Sequence, residues 1–124
     1  MPARNQIGID IMVTVKDIAE KLELNEITSC GGGDNEVKDG CVCDLLSWVM
    51  AKGEEGMAWI TVQTHLNVIA VASLHDFSCV IIPENIEVPQ NTIDKANEEG
   101  ITVFSSGKTS YKLCCELAAL GVGK

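Results

Sequence analysis

The chain has 124 residues, 46% of them hydrophobic but only 4% aromatic, with a formal charge of −9 and a pI near 4.5. That length builds one domain with a real core and not two. An acidic surface repels phosphate backbones and anionic lipid, so nucleic acid and membrane are set aside as partners. The core must come from Val, Ile, Leu, Ala and Cys, which suits strands covered on both faces.

Residues 1–11 read as an N-terminal extension. Met1 to Asn5 carries one Arg, and the apolar stretch after it is interrupted by Asp10 and Lys16. Neither a secretory signal nor a membrane span is recognised there, and a cytoplasmic location is the expectation. In a reducing compartment Cys30, Cys41, Cys43, Cys79, Cys114 and Cys115 are expected to be free thiols.

Thr14 is placed to cap a short helix, with Asp17 as the acid of a capping box and Ile18 and Leu22 on one face. The unit Val15 to Leu22 also resembles the first helix of a helix-turn-helix, but no basic second helix follows it. Leu24 to Cys30 reads as a strand ended by the turn Gly31-Gly32-Gly33-Asp34-Asn35. A phosphate loop would need a Lys-Ser/Thr pair and a helix there, and Glu36 comes instead. Cys41-Val42-Cys43 is a short strand leading into a helix that Asp44 would cap, with Leu45, Trp48 and Val49 sharing a face.

Met57 to Val62 predicts a central strand feeding a helix from about His65 to Leu74. Cys79 to Ile82 is an apolar strand stopped by Pro83. A helix starts at Asn91 or Thr92 with Ile93 and Ala96 inward, and Ile101 to Phe104 is the next strand. The last helix directs Tyr111, Cys114, Cys115, Leu117 and Ala118 to the core and is closed by Gly121. This alternation predicts a single α/β domain, with a central, mostly parallel β-sheet of four or five strands flanked by helices.

The run from Trp59 to Leu74, with Asp44 to Ser47, Val49-Met50, Val80 to Ile82, Thr92 to Gly100 and the final helix, resembles the DRTGG domain in its stand-alone form. The resemblance covers residues 12–121. The motif that names the family is altered. Asp34 and Gly40 match it, Asn35 stands where Arg is usual, and Asp39 stands where Gly is usual. Loss of the Arg removes a bidentate partner for phosphate from that loop. The resemblance implies a regulatory module, similar to domains found between CBS domains in some inorganic pyrophosphatases, inside some phosphotransacetylases and at the N-terminus of HPr kinase. It further implies an accessory role beside an anaerobic redox enzyme such as iron hydrogenase.

The best candidate site is the corner Gln63-Thr64-His65-Asn67, at the carboxyl end of a buried strand where open α/β sheets place ligands. Thr64 is expected to cap the helix, and the corner to bind a small nucleotide or anion. The bland reading gives Gln63 and Asn67 to loop carbonyls and His65 to solvent. Cys41 and Cys43, with Cys30 and His65, could be imagined around a metal, but no second Cys pair supports it. No metal, cofactor or catalytic residue is assigned. His75 beside Asp76, or Cys43 or Ser73 with either His, shows no catalytic spacing. Trp48 and Met50 are candidates for a homodimer face, and Trp59 for the core. The expectation is therefore a non-catalytic, dimeric, ligand-sensing module. A structural interaction protein without ligand and a small enzyme working at the Gln63–Asn67 corner are the alternatives.

Overall fold

A computed structural model of the chain describes residues 3–4 and 10–123, with side chains from Met12 onward. The rest of the expected extension, residues 1–2 and 5–9, lies outside the described residues. Strands β1 (Ala3–Arg4) and β2 (Asp10–Ile11) pair antiparallel. Then follow α1 (Val15–Lys21), β3 (Asn25–Glu26), β4 (Asp39–Val42), α2 (Leu46–Lys52), β5 (Met57–Ile60) and α3 (Asn67–Leu74). The chain continues through β6 (Cys79–Ile82), α4 (Gln90–Glu99), β7 (Val103–Ser105) and α5 (Ser110–Ala119). The main sheet has the order β3-β7-β6-β5-β4, parallel throughout except for the antiparallel β3 at one edge. The expected α/β architecture is therefore found.

Pairing aligns Cys41, Trp59, Val80 and Val103 across four strands. Side chains alternate across a strand, so this row and Ile82 face one layer, where Val49, Val68, Ile69, Ala72 and Ala96 come down from α2, α3 and α4. Ala58, Ile60, Cys79, Ile81 and Phe104 face the other layer, formed by α1 and α5 through Val15, Ile18, Leu113 and Leu117. All three crossover helices between parallel strands thus lie on one face. Helix α3 touches both α2 and α4, which explains why its apolar residues are not confined to one stripe.

Helix α1 has the expected capping box: Thr14 Oγ1 accepts from the Asp17 N–H at 3.2 Å, and Asp17 Oδ2 accepts from the Thr14 N–H at 2.9 Å. The glycine turn serves the same helix end. The Val15 and Lys16 N–H groups donate to the carbonyls of Asn35 and Gly33, both at 2.9 Å. Those carbonyls satisfy donors that α1 cannot satisfy internally, so the turn is a seat for the helix.

Several expectations are corrected. The strand expected over Leu24–Cys30 is regular only at Asn25–Glu26, because the Thr28 hydroxyl replaces a main-chain acceptor for the Val103 N–H (3.1 Å). Asp44 does not cap α2. The N-cap is Leu45 without a side-chain bond, since the Asp44 carboxylate is occupied at the end of β5. Of Leu45, Trp48 and Val49, only Val49 is buried; Leu45 is 62% and Trp48 57% exposed. On α5, Tyr111, Cys115 and Ala118 face solvent rather than the core. The cap at Thr109 and the pair Leu113–Leu117 fix the buried face, and Tyr111 lies two residues, roughly 200°, from Leu113. On α4, Ala96 is buried but Ile93 only half so, and Thr92 is the buried residue of the first turn.

Burial has a chemical consequence at Cys79, whose thiol is pushed up to about 12 by desolvation alone. Below the ordinary thiol range folded and unfolded chains both hold this proton. Between about 9 and 12 only the folded chain does, so stability is lost as pH rises through that window. We expect urea midpoints to fall above pH 9 and the fall to be smaller in Cys79→Ala. Identical pH profiles for the two proteins would contradict this.

Candidate functional site

The corner is built from the ends of two neighbouring parallel strands. Because Val42 is paired with Ile60, Asp44 comes to lie beside Val62 as both strands run out. Asp44 Oδ1 accepts from the Thr61 hydroxyl at 2.8 Å and from the Val62 N–H at 3.0 Å. The Thr61 oxygen accepts in turn from the Gln63 N–H at 3.1 Å, and Gln63 Nε2 donates to the Asp44 carbonyl at 3.0 Å. Behind the cluster, Trp59 Nε1 donates to the Cys43 carbonyl at 2.8 Å, fixing the approach to Asp44 from the core.

Thr64 does not cap α3. The helix begins at Asn67 after Leu66, which makes no side-chain cap bond. His65 takes the role expected of Thr64, its Nδ1 accepting from the Asn67 N–H at 3.0 Å. That bond needs the Nδ1 lone pair and so leaves the proton of the neutral ring on Nε2. Thr64 is held by its carbonyl, which accepts from the buried Thr92 hydroxyl at 2.7 Å and ties the corner to α4. The side chain of Asn67 is exposed and makes no hydrogen bond to the described residues.

The structure thus brings Gln63 together with Asp44 and Thr61, sets His65 and Asn67 beside one another, and uses Thr64 only through its main chain. Asp44, Thr61 and Thr92 are the members that sequence reasoning missed. The strand register would have found Asp44, since residues two beyond a parallel pair stay side by side. Chemically, the second carboxylate oxygen of Asp44 is an acceptor, while Asn67 and His65 Nε2–H are donors. The arrangement suits ligand hydroxyls and amines better than a bare anion, which the carboxylate would repel.

The other constellations do not converge. Cys30 sits by Thr102 and the glycine turn, whereas Cys41 and Cys43 lie at β4, with β5 and β6 between. The Cys41 thiol is held above its ordinary value by burial first, then by Cys43 and Asp39, which opposes the thiolate a metal requires. No group of three or more His, Cys, Asp or Glu among the described residues is placed to hold a metal. His75 Nε2 meets the Met50 carbonyl at 2.8 Å and its ring stacks on Phe77, so it does not pair with Asp76. The altered loop at 34–40 is at the opposite end of the sheet. Its Asn35, Glu36 and Lys38 line a cavity of about 490 Å³ with Glu55, Asp76 and Glu99. Among the described residues no helix is long and apolar enough to cross a membrane.

Neither a family model nor a curated protein matches the sequence. The fold, however, is similar to that of a solved structure: the CBS and DRTGG domains of the regulatory region of Clostridium perfringens pyrophosphatase, complexed with the activator diadenosine tetraphosphate. The TM-score is 0.69 at 14% identity, over 84% of this chain and 45% of that one. The chain therefore spans about half the length of this neighbour, and the likeness is one of fold. It agrees with the resemblance carried by Trp59 to Leu74: the chain has a DRTGG-like α/β fold.

Proposed function

We propose that the chain is a regulatory module without chemistry of its own, which senses a small nucleotide at the corner formed by Gln63, Thr64, His65 and Asn67. The observation that carries this reading is the prebuilt polar corner. Asp44 is pinned by Thr61 and Val62, and the Asn67 amide is left free beside the His65 cap. A ribose or an exocyclic amine would meet Asp44, as acidic residues at strand ends meet ribose hydroxyls in other α/β sheets. The neighbouring fold is described in complex with a dinucleotide activator, which supports a nucleotide over other small molecules. A small anion is the weaker choice because of Asp44.

Calorimetry with AMP, ADP, ATP and diadenosine tetraphosphate tests it. At least one should give heat, and Asn67→Ala should weaken that binding about tenfold or more by removing a paired ligand bond. Silence from all four, or heat unchanged in Asn67→Ala, would sink the corner as a site.

We also infer a homodimer through the exposed surface of α2, where Trp48 and Met50 flank the buried Val49 on either side and the segment Leu46–Lys52 contains no acid. For a chain of charge −9, such a face lets two copies meet without opposing carboxylates. A redox enzyme is the second partner this face could take. Light scattering should give twice the chain mass for the native protein and the single mass for Trp48→Glu. A monomer at all working concentrations would remove the dimer.

A further inference from the structure

Between β6 and β7 the helices part company. Helix α4, which follows β6, covers the Trp59 face, while α5, which follows β7, covers the Phe104 face. Adjacent parallel strands whose helices leave to opposite sides open a crevice beyond their carboxyl ends. The corner at residues 63–67 does not have this property, since α2 and α3 lie on one face.

The crevice is formed by a tight turn after β6. Glu84 and Asn85 are both left-handed, with φ of 66° and 57°, and the Ile86 N–H donates to the Pro83 carbonyl at 3.3 Å. The turn is fastened to the loop after β7: the Glu84 N–H donates to the Lys108 carbonyl at 3.0 Å and the Asn85 N–H to the Ser106 carbonyl at 2.9 Å. Beside it is a cavity of about 250 Å³ with apolar walls from Ile86, Val88 and Ile93, and with Asn85, Glu87 and Ser105 as polar lining.

We propose that this crevice binds the uncharged purine ring of a nucleoside, at a site separate from Gln63–Asn67. The volume lies below the roughly 300–1,000 Å³ of sites that enclose whole drug-sized ligands, so one ring system fits and a dinucleotide does not. Aliphatic walls suit a planar ring. The Asn85 amide presents a donor and an acceptor side by side, the complement of the amino group and ring nitrogen on one edge of adenine. That amide makes no hydrogen bond to the described residues. It lies over Gly107, where a Cβ would come to 3.0 Å from Asn85 Nδ2 and 3.2 Å from Oδ1, so the glycine leaves room for the amide. Ser105 Oγ accepts from Asn25 Nδ2 at 3.3 Å and keeps its own proton to donate.

Charge decides against a phosphate. Glu84 and Glu87 flank Asn85. The nearby ammonium of Lys108 is already held by Glu116 at 2.7 Å and the Leu22 carbonyl at 2.8 Å. The same lysine explains why Ser106-Gly107-Lys108-Thr109, despite its composition, does not form a phosphate cradle. The crevice therefore selects a nucleoside over its monophosphate.

The test is an amide NMR titration of the full chain with adenosine and with AMP. Adenosine should shift Ile86, Val88, Ile93 and Ser105, and AMP should bind there about tenfold more weakly because of the like charges. Asn85→Gly keeps the left-handed turn while removing the amide, and should cost about tenfold in adenosine affinity. Glu87→Gln should narrow the gap between the two ligands. The proposal is overturned if millimolar adenosine leaves these residues unmoved, if AMP binds there as well as adenosine, or if Asn85→Gly binds unchanged. Shifts confined to residues 63–67 would uphold the corner and overturn the crevice.

Discussion

Replacing Trp59 by alanine should lower the unfolding free energy by about 3–5 kcal/mol, a large part of the roughly 5–15 kcal/mol a domain possesses. The side chain is fully buried at the centre of β5 and meets the edge of Phe77 with ring centroids 5.7 Å apart. Truncation opens a hole beneath three helices at once, and α2, α3 and α4 cannot all move in to fill it. Trp59→Phe keeps most of the apolar area but takes the donor from the Cys43 carbonyl, which costs about 1–3 kcal/mol. Urea unfolding followed by far-ultraviolet circular dichroism separates the two. A loss below about 1 kcal/mol for the alanine variant would mean that the layer closes over the gap. Because Cys43 leads directly to Asp44, the phenylalanine variant should also weaken ligand binding at the corner while remaining folded.

Phe104→Ala should have a comparable effect on the opposite side of the sheet, again about 3–5 kcal/mol. Phe104 is 2% exposed, is paired with Ile81 on one side and Glu26 on the other, and packs with Ile18, Leu22 and Leu113. Its loss loosens α1, α5 and β3 together. Since the sheet separates the two clusters, the milder changes Trp59→Phe and Phe104→Leu should add to within about 0.5 kcal/mol when combined. Marked non-additivity in urea midpoints would show that the two layers are coupled through the strands.

Legibility followed the physics of each element. Strand β6 could be read because a four-residue apolar run buried on both faces stops at Pro83. Helix α1 could be read because its capping box is local, spanning only Thr14 to Asp17. Tyr111 misled because an aromatic residue near a helix start looks like core, while the phase of α5 is set by Leu113 and Leu117. The corner was legible in position and not in chemistry. Gln63 to Asn67 are contiguous, but Asp44 joins them only through strand pairing. His65 rather than Thr64 bonds the first turn because α3 starts two residues later than expected. The crevice at Asn85 was not legible at all, since it depends on helices leaving β6 and β7 to opposite faces.

The antiparallel edge strand β3 has a consequence for the order in which the molecule can assemble. Its partner, β7, lies about 80 residues further along, whereas each parallel neighbour is one helix away. Units β4 to β7 can therefore collapse by short loop closures, strand after strand. Helix α1 finds part of its surface on Ala58, Ile60, Cys79 and Ile81, but β3 has no strand to pair with, and α1 no complete seat, until Phe104 and Leu113 exist. The beginning of the chain thus completes its packing only with its end, when the last strand pairs with β3 and brings Phe104 to Ile18 and Leu22.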